Sequence, residues 1–216
     1  MAGDIAAGLT RRVIGSIKSS SGGIGQHGGF VPADAHERNH LIAILGRGIL
    51  RHEPGRHSMI SEQVSRLLVA QVGHELGAHQ KYMGISLYFA RQSLRGWAKL
   101  FHEQATEEAG HAAKIMAFLI DNDVAFNLPP IGPATTDYAS ATAAVETALA
   151  SEQSVTAQFD AMATAAAAAG DHRSAQFLLW FIDEQVEEEA KMRGLLDLLA
   201  SGINLFQAEP LLEAME

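Results

Sequence analysis

The sequence predicts an all-α domain: a four-helix bundle with one long crossover and a short fifth helix, preceded by an extension of different texture. Three observations predict it. Residues 59–216 contain four long segments whose apolar positions recur every three or four residues, with no competing strand alternation. The breaks after the first and third segments are short, whereas the break after the second is long and rich in proline. Each of the four segments also carries acidic side chains at helical spacing in its middle third.

The first segment runs from about Ile60 to Phe89, with apolar positions that include Val64, Leu67, Leu68, Val72 of the pair Gln71-Val72, Leu76 and Ile85 at mixed three and four spacing. The second runs from about Ser93 to Asn122. Pro129, Pro130 and Pro133 follow, and three prolines in five residues exclude a helix there. The third runs from about Ser140 to Ala169 and stops at Gly170. Asp171 is placed to cap the fourth, which extends to about Ser201 before Gly202. A fifth, from about Asn204 to Met215, is expected to be interrupted by Pro210. Short links make antiparallel hairpins of the first and last pairs, and the proline-rich link must cross from one hairpin to the other. At ~1.5 Å per residue each long helix spans roughly 40–45 Å.

Composition narrows the chemistry. The 216 residues include no cysteine, which removes disulfides, zinc–thiolate sites and iron–sulfur clusters. A cysteine-free chain suits a reducing compartment, and the expected location is cytoplasmic. Residues 1–58 carry a net charge of +3 and eleven of the twenty glycines, and the remainder carries −12. An acidic body disfavours nucleic acid and favours cations. No apolar run approaches the ~20 residues that span a bilayer. The domain division is therefore a flexible extension over 1–58 and a helical domain over 59–216.

The acids are Glu75 on the first helix, Glu107 and Glu108 with His111 on the second, Glu152 on the third, and Glu184, Glu187 and Glu188 on the fourth. Taken singly, each admits a plain reading as a surface acid, an i,i+3 surface pair or a solvated charge run. Taken together, they offer an inward group from every helix at comparable distances from the hairpin turns. Ionised groups inside a bundle are costly unless paired or bound to metal. Glu108 and His111 share one face, and an imidazole beside a carboxylate suits a first-row ion such as iron. The run beginning at Glu184 follows Phe177, Trp180 and Phe181, whose burial would turn part of it inward.

Four strings carry a family resemblance: Glu75 with Tyr82 seven residues on, Glu107-Glu108-Ala109-Gly110-His111, Ser151-Glu152-Gln153, and Phe177 through Glu188. With the ending Gly202-Ile203-Asn204-Leu205-Phe206, residues 59–206 resemble a bacterial non-haem ferritin. The resemblance implies a ferritin-like bundle and a ferroxidase that oxidises Fe(II) at a di-iron carboxylate centre. It implies storage of ferric mineral in a homo-oligomeric shell of twenty-four subunits. Residue by residue it implies Glu75, Glu108 and His111 at a first iron, Glu108 bridging, and Glu152 with Glu188 at a second. Glu107, Glu184, Glu187 and Glu188 would hold a third. Tyr82 would be the redox-active tyrosine and Gln185 the site glutamine. Ala109 stands where the haem-carrying relatives have methionine, so haem is not expected. Ala175 and Leu178 occupy the positions of a polar access channel, and neither can bind iron.

The extension admits an upstream start, an organelle transit peptide or a docking tail. Residues 9–19 resemble the short Gly-Ser-Leu/Ile-Lys peptides that load enzymes into encapsulin shells. The alternative function is accordingly an encapsulin-cargo di-iron oxidase or peroxidase without a large mineral store of its own.

Overall fold

The computed structural model describes residues 58–213. These hold five helices and no strand: α1 (Glu62–Arg91), α2 (Arg95–Asp121), α3 (Ala141–Ala168), α4 (His172–Ala200) and α5 (Leu205–Leu212). Apart from Ser58, the 1–58 extension and its 9–19 segment lie outside the described residues.

The helix ends follow local chemistry. Side-chain oxygens of Ser61, Ser140, Asp171 and Asn204 accept first-turn N–H groups of α1, α3, α4 and α5. Gly170 and Gly202, which follow α3 and α4, take φ of +64° and +77°. Leu94 cannot cap α2, and Glu209 of α5 does so from a distance: its Oε1 accepts from the Gly96 N–H at 2.8 Å. The Trp97 indole N–H donates to the Leu205 carbonyl at 3.1 Å, which fastens α5 to the same end. Pro210 lies inside α5 rather than breaking it. Its missing N–H leaves the Phe206 carbonyl unpaired within the helix, and both residues are exposed, so water can take that acceptor.

α1 pairs with α2 and α3 with α4, α1 also packs on α3, and α5 packs on α2. The Met59 N–H donates to the Asn122 carbonyl at 3.1 Å, so α2 ends where α1 begins. Tyr88 meets Tyr138 with ring centroids 5.4 Å apart, so α3 begins where α1 ends. The link between α2 and α3 therefore travels the length of the bundle. It lies flat on α1 because Gly84 has no side chain: a Cβ there would sit 2.2 Å from the Thr135 carbonyl oxygen.

Two apolar clusters fill the interior. One gathers Ile85, Phe89, Trp97, Phe101, Val145, Met192 and Leu195. The other gathers Val64, Leu68, Val72, Ile115, Phe159, Leu178 and Phe181. In each long helix the sequence passes from one cluster to the other through a buried polar stretch: Glu75, then Glu108 and His111, then Glu152, then Gln185 and Glu188. Leu178 is part of the bundle core and Ala175, half-buried, packs against it.

Asp171 joins the hairpins at the α4 end. Its Oδ2 accepts from the Ser61 N–H and from the Ser174 hydroxyl, each at 2.8 Å, and its Oδ1 from the Ser174 N–H at 3.0 Å. Partial burial would raise its pKa, but these hydrogen bonds outweigh burial and hold the carboxyl below its ordinary value.

Candidate metal centre

Four glutamates, one from each long helix, occupy the polar layer with almost no exposure: Glu75 0%, Glu108 1%, Glu152 1% and Glu188 1%. Buried carboxylates without partners would be prohibitive. Each of three receives an amide N–H from a buried glutamine. Gln71 donates to Glu75 Oε1 at 2.8 Å, Gln104 to Glu188 Oε2 at 2.8 Å, and Gln185 to Glu152 Oε2 at 3.2 Å. The Tyr82 hydroxyl donates to Glu152 Oε1. Glu108 has the His111 imidazole, whose Nδ1 is 3.4 Å from its Oε2, and the facing carboxyl of Glu75.

Glu75 Oε2 and Glu108 Oε1 receive no hydrogen bond from any amide, hydroxyl or imidazole; at these oxygens the two carboxyls have only each other. Both belong to the trio Glu75, Glu108 and His111, whose ligand atoms lie within 4.8 Å of one another. Oxygen donors with one imidazole nitrogen, converging at that distance, fit a first-row divalent ion. A second trio, Glu107, His111 and Glu184, meets the same distance on the half-buried side of α2 and α4. His111 is shared between the two, and its ring is set by edge contacts with Trp180 and Phe181 at centroid distances of 5.5 and 5.9 Å.

The electrostatics reflect carboxyls gathered out of water. Burial, and then the charge of Glu108, hold the Glu75 carboxyl well above the usual range. Burial, and then Glu152, do the same to Glu108. Burial raises Glu152 against the lowering effect of its hydrogen bonds from Tyr82 and Gln185. Burial lifts Glu188 to about 7, opposed by the Lys191 cation. Burial and the neighbouring acids keep Tyr82 a neutral phenol, able to donate.

The sequence-predicted residues therefore divide. Glu75, Glu108 and His111 converge; Glu152, Glu188, Tyr82 and Gln185 lie in the same buried layer, but Glu152 and Glu188 belong to neither trio. Glu107 and Glu184 flank it. Glu187 is exposed and belongs to neither trio. Trp180, expected to be buried, is 39% exposed, with the Lys114 ammonium over its ring. Phe181 rather than Trp180 faces the core of α4.

Sequence reasoning missed the supporting shell of Gln71, Gln104 and Lys191. A signal existed for two of them: each glutamine stands four residues before a glutamate, one helical turn away on the same face. Nothing local signalled that Gln104 would serve Glu188, 84 residues distant.

Known proteins place this architecture. The sequence profile of the ferritin-like domain matches residues 65–201. A ferritin BfrB of Mycolicibacterium smegmatis is 38% identical over 144 residues, 66% of this chain and 80% of that protein. The bacterial non-heme ferritin of Staphylococcus aureus is 33% identical over 132 residues, 61% of this chain and 80% of that one. An open-pore ferritin from the hyperthermophilic archaeon Archaeoglobus fulgidus superposes with a TM-score of 0.65 at 27% identity, covering 67% of this chain and 88% of its own. A humanized archaeal ferritin superposes at 0.68 and 27% identity, over 71% and 96%. With its sequence, topology and buried carboxylate layer in agreement, the chain belongs to the ferritin family.

Proposed function

We propose that this protein is an iron-storage ferritin with ferroxidase activity. The observation that carries the reading is that the buried carboxyls of Glu75 and Glu108 face each other beside His111, each with an oxygen that no amide, hydroxyl or imidazole serves. Acceptors left without such donors in a bundle interior cost free energy, and a divalent cation offsets that cost. Iron is substrate and cargo in this reading.

Glu75, Glu108 and His111 would take one Fe(II). Glu152 and Glu188 would take a second, with Glu108 bridging. Glu107 and Glu184 would supply carboxylates for a third ion, with Glu187 at the solvent edge; the one lone pair of His111 would serve either this ion or the first, not both. Two ferrous ions side by side allow dioxygen to draw one electron from each. Hard carboxylate donors favour the ferric product. Tyr82 holds Glu152 by its hydroxyl and would lend an electron to the centre. Gln185 keeps Glu152 aimed across the bundle. The glutamates are flexible ligands, which suits release of product for storage.

Homo-oligomeric assembly, with a twenty-four-subunit shell as its closed form, fits the large apolar side chains that the single chain exposes. Leu87, Leu128, Leu179, Val186 and Phe206 are each at least 48% exposed. Among the described residues no helix is long and apolar enough to cross a membrane.

The test is anaerobic Fe(II) loading followed by air, read as the rate of ferric absorbance, with particle mass from light scattering. Wild type should oxidise rapidly and retain far more iron than its site ligands can hold. Glu108→Ala combined with His111→Ala should lose the rapid phase while keeping its helical circular dichroism. Unchanged oxidation in that variant would remove the site assignment.

A further inference from the structure

Lys191 has no role in the reading above, yet it is built into the polar layer. It follows Glu188 by three residues and Glu184 by seven, so all three share one face of α4. Its side chain is 19% exposed. The ammonium lies 2.6 Å from Gln104 Oε1, 3.7 Å from Glu107 Oε2 and 3.8 Å from Glu188 Oε1. An ammonium has three donors and no acceptor, and here one donor goes to an amide oxygen while two carboxylates stand within ion-pair range.

The contact with Gln104 fixes more than itself. With its oxygen committed to Lys191, the amide must turn its NH2 the other way, where it donates to Glu188 Oε2 at 2.8 Å. Lys191 thereby orients Glu188 through Gln104 and sets a positive charge against Glu107. Lys81, on the far side of the layer, donates to the Ser151 hydroxyl at 2.6 Å instead. The two lysines therefore act differently, and Lys191 is the one that bridges toward Glu107.

Glu107 also belongs to the outer trio with His111 and Glu184. A metal ion held there and the Lys191 ammonium compete for the same carboxylate. A cation drawn to Glu107 and an ammonium already beside that carboxylate repel one another. We propose that Lys191 is a tethered counter-cation that weakens the outer position most: it stands 3.7 Å from one of the two carboxylates of that trio, whereas Glu188, at 3.8 Å, shares the inner layer with three other glutamates. It carries the charge of Glu107 when no ion is present and must withdraw for an ion to bind. This rests on the reading of the layer as an iron centre. Its consequence is a wide affinity gap between two tightly held ions and a third. Lys191 is a positioning and specificity residue, not a catalytic one.

Calorimetric titration of the assembled, metal-free protein with Zn(II), a redox-inert probe, tests this without reference to activity. Wild type should bind two ions per subunit tightly and a third weakly. Lys191→Met keeps the length of the stem and removes the charge; it should tighten the third ion at least about tenfold and narrow the gap. Lys191→Arg keeps the charge and should restore the wide gap. A third-ion affinity unchanged in Lys191→Met, or equal in the Met and Arg variants, overturns the role of Lys191 while leaving the centre intact. Failure of wild type to bind any ion tightly overturns the centre itself, and this inference with it. A crystal of the zinc-loaded wild type supplies a second check: Lys191 Nζ still within 4 Å of Glu107 with zinc in the outer trio refutes the competition.

Discussion

Metal-free protein should lose stability as pH rises, and Glu188 allows the effect to be isolated. Burial, opposed by Lys191, lifts this carboxyl from 4.5 to about 7. Over that interval the folded subunit keeps a proton that the unfolded chain releases. The native state binds more protons, so stability falls as pH climbs from the unfolded value and levels off above the folded one. At ~1.4 kcal/mol per pH unit the interval corresponds to about 3 kcal/mol. The side chain is 2% exposed, so solvent screening does not dilute the figure. In a domain of this size that is roughly 6–12 °C in melting temperature. Glu188→Gln removes the titration and retains an oxygen for the Gln104 amide. Chelator-treated wild type and variant, melted at one protein concentration at pH 5, 6, 7 and 8, give the difference directly. Wild type should fall relative to the variant by about 2.5 kcal/mol between pH 5 and 8, and saturating zinc should reverse the loss. A difference that stays constant across the series would show that Glu188 does not hold its proton in the folded state, and the argument for an electrostatically poised layer would fail.

The remaining predictions concern what aligns the layer. Asp171→Ala removes the α4 cap and the tie to Ser61, and should cost about 1–2 kcal/mol in denaturant melts. Because the folded pKa of Asp171 is depressed, its contribution is present above the unfolded value of 3.8 and disappears as pH falls through the lower folded value, so wild type and variant should converge in acid. Gly84→Ala should destabilise by about 1–3 kcal/mol, reversing the gain alanine brings to an open helix, since its Cβ meets backbone at Thr135. Faster proteolysis within residues 127–136 is the accompanying readout, and a stabilised variant would show that the crossover does not bear on α1.

Much of the layer was legible because helical spacing is a local property. Glu108 and His111 had to share a face whatever the tertiary structure, and Gly170-Asp171 had to end one helix and begin another. The run from Glu184 to Glu189 was harder, since adjacent carboxylates differ by about 100° around the axis. The buried stripe of α4 passes through Phe181, Gln185, Glu188, Met192 and Leu195. That phase admits Glu188 and turns Glu187 outward. It also leaves Trp180 at the surface, against the expectation from its size.

The sequence by itself determined the helix count, the hairpin pairing, the need for a long crossover and the belt of acids through the middle of each rod. All of these follow from periodicity and chain breaks within a few residues of one another. Only the tertiary structure decided that Gln104 and Lys191 would serve Glu188, that Glu209 would cap α2, that Gly84 would admit the crossover, and that Glu75 and Glu108 would face each other. Those contacts join residues distant in sequence. They are set by the rotation and axial offset of whole helices, which the packing of the two apolar clusters fixes and no local pattern encodes.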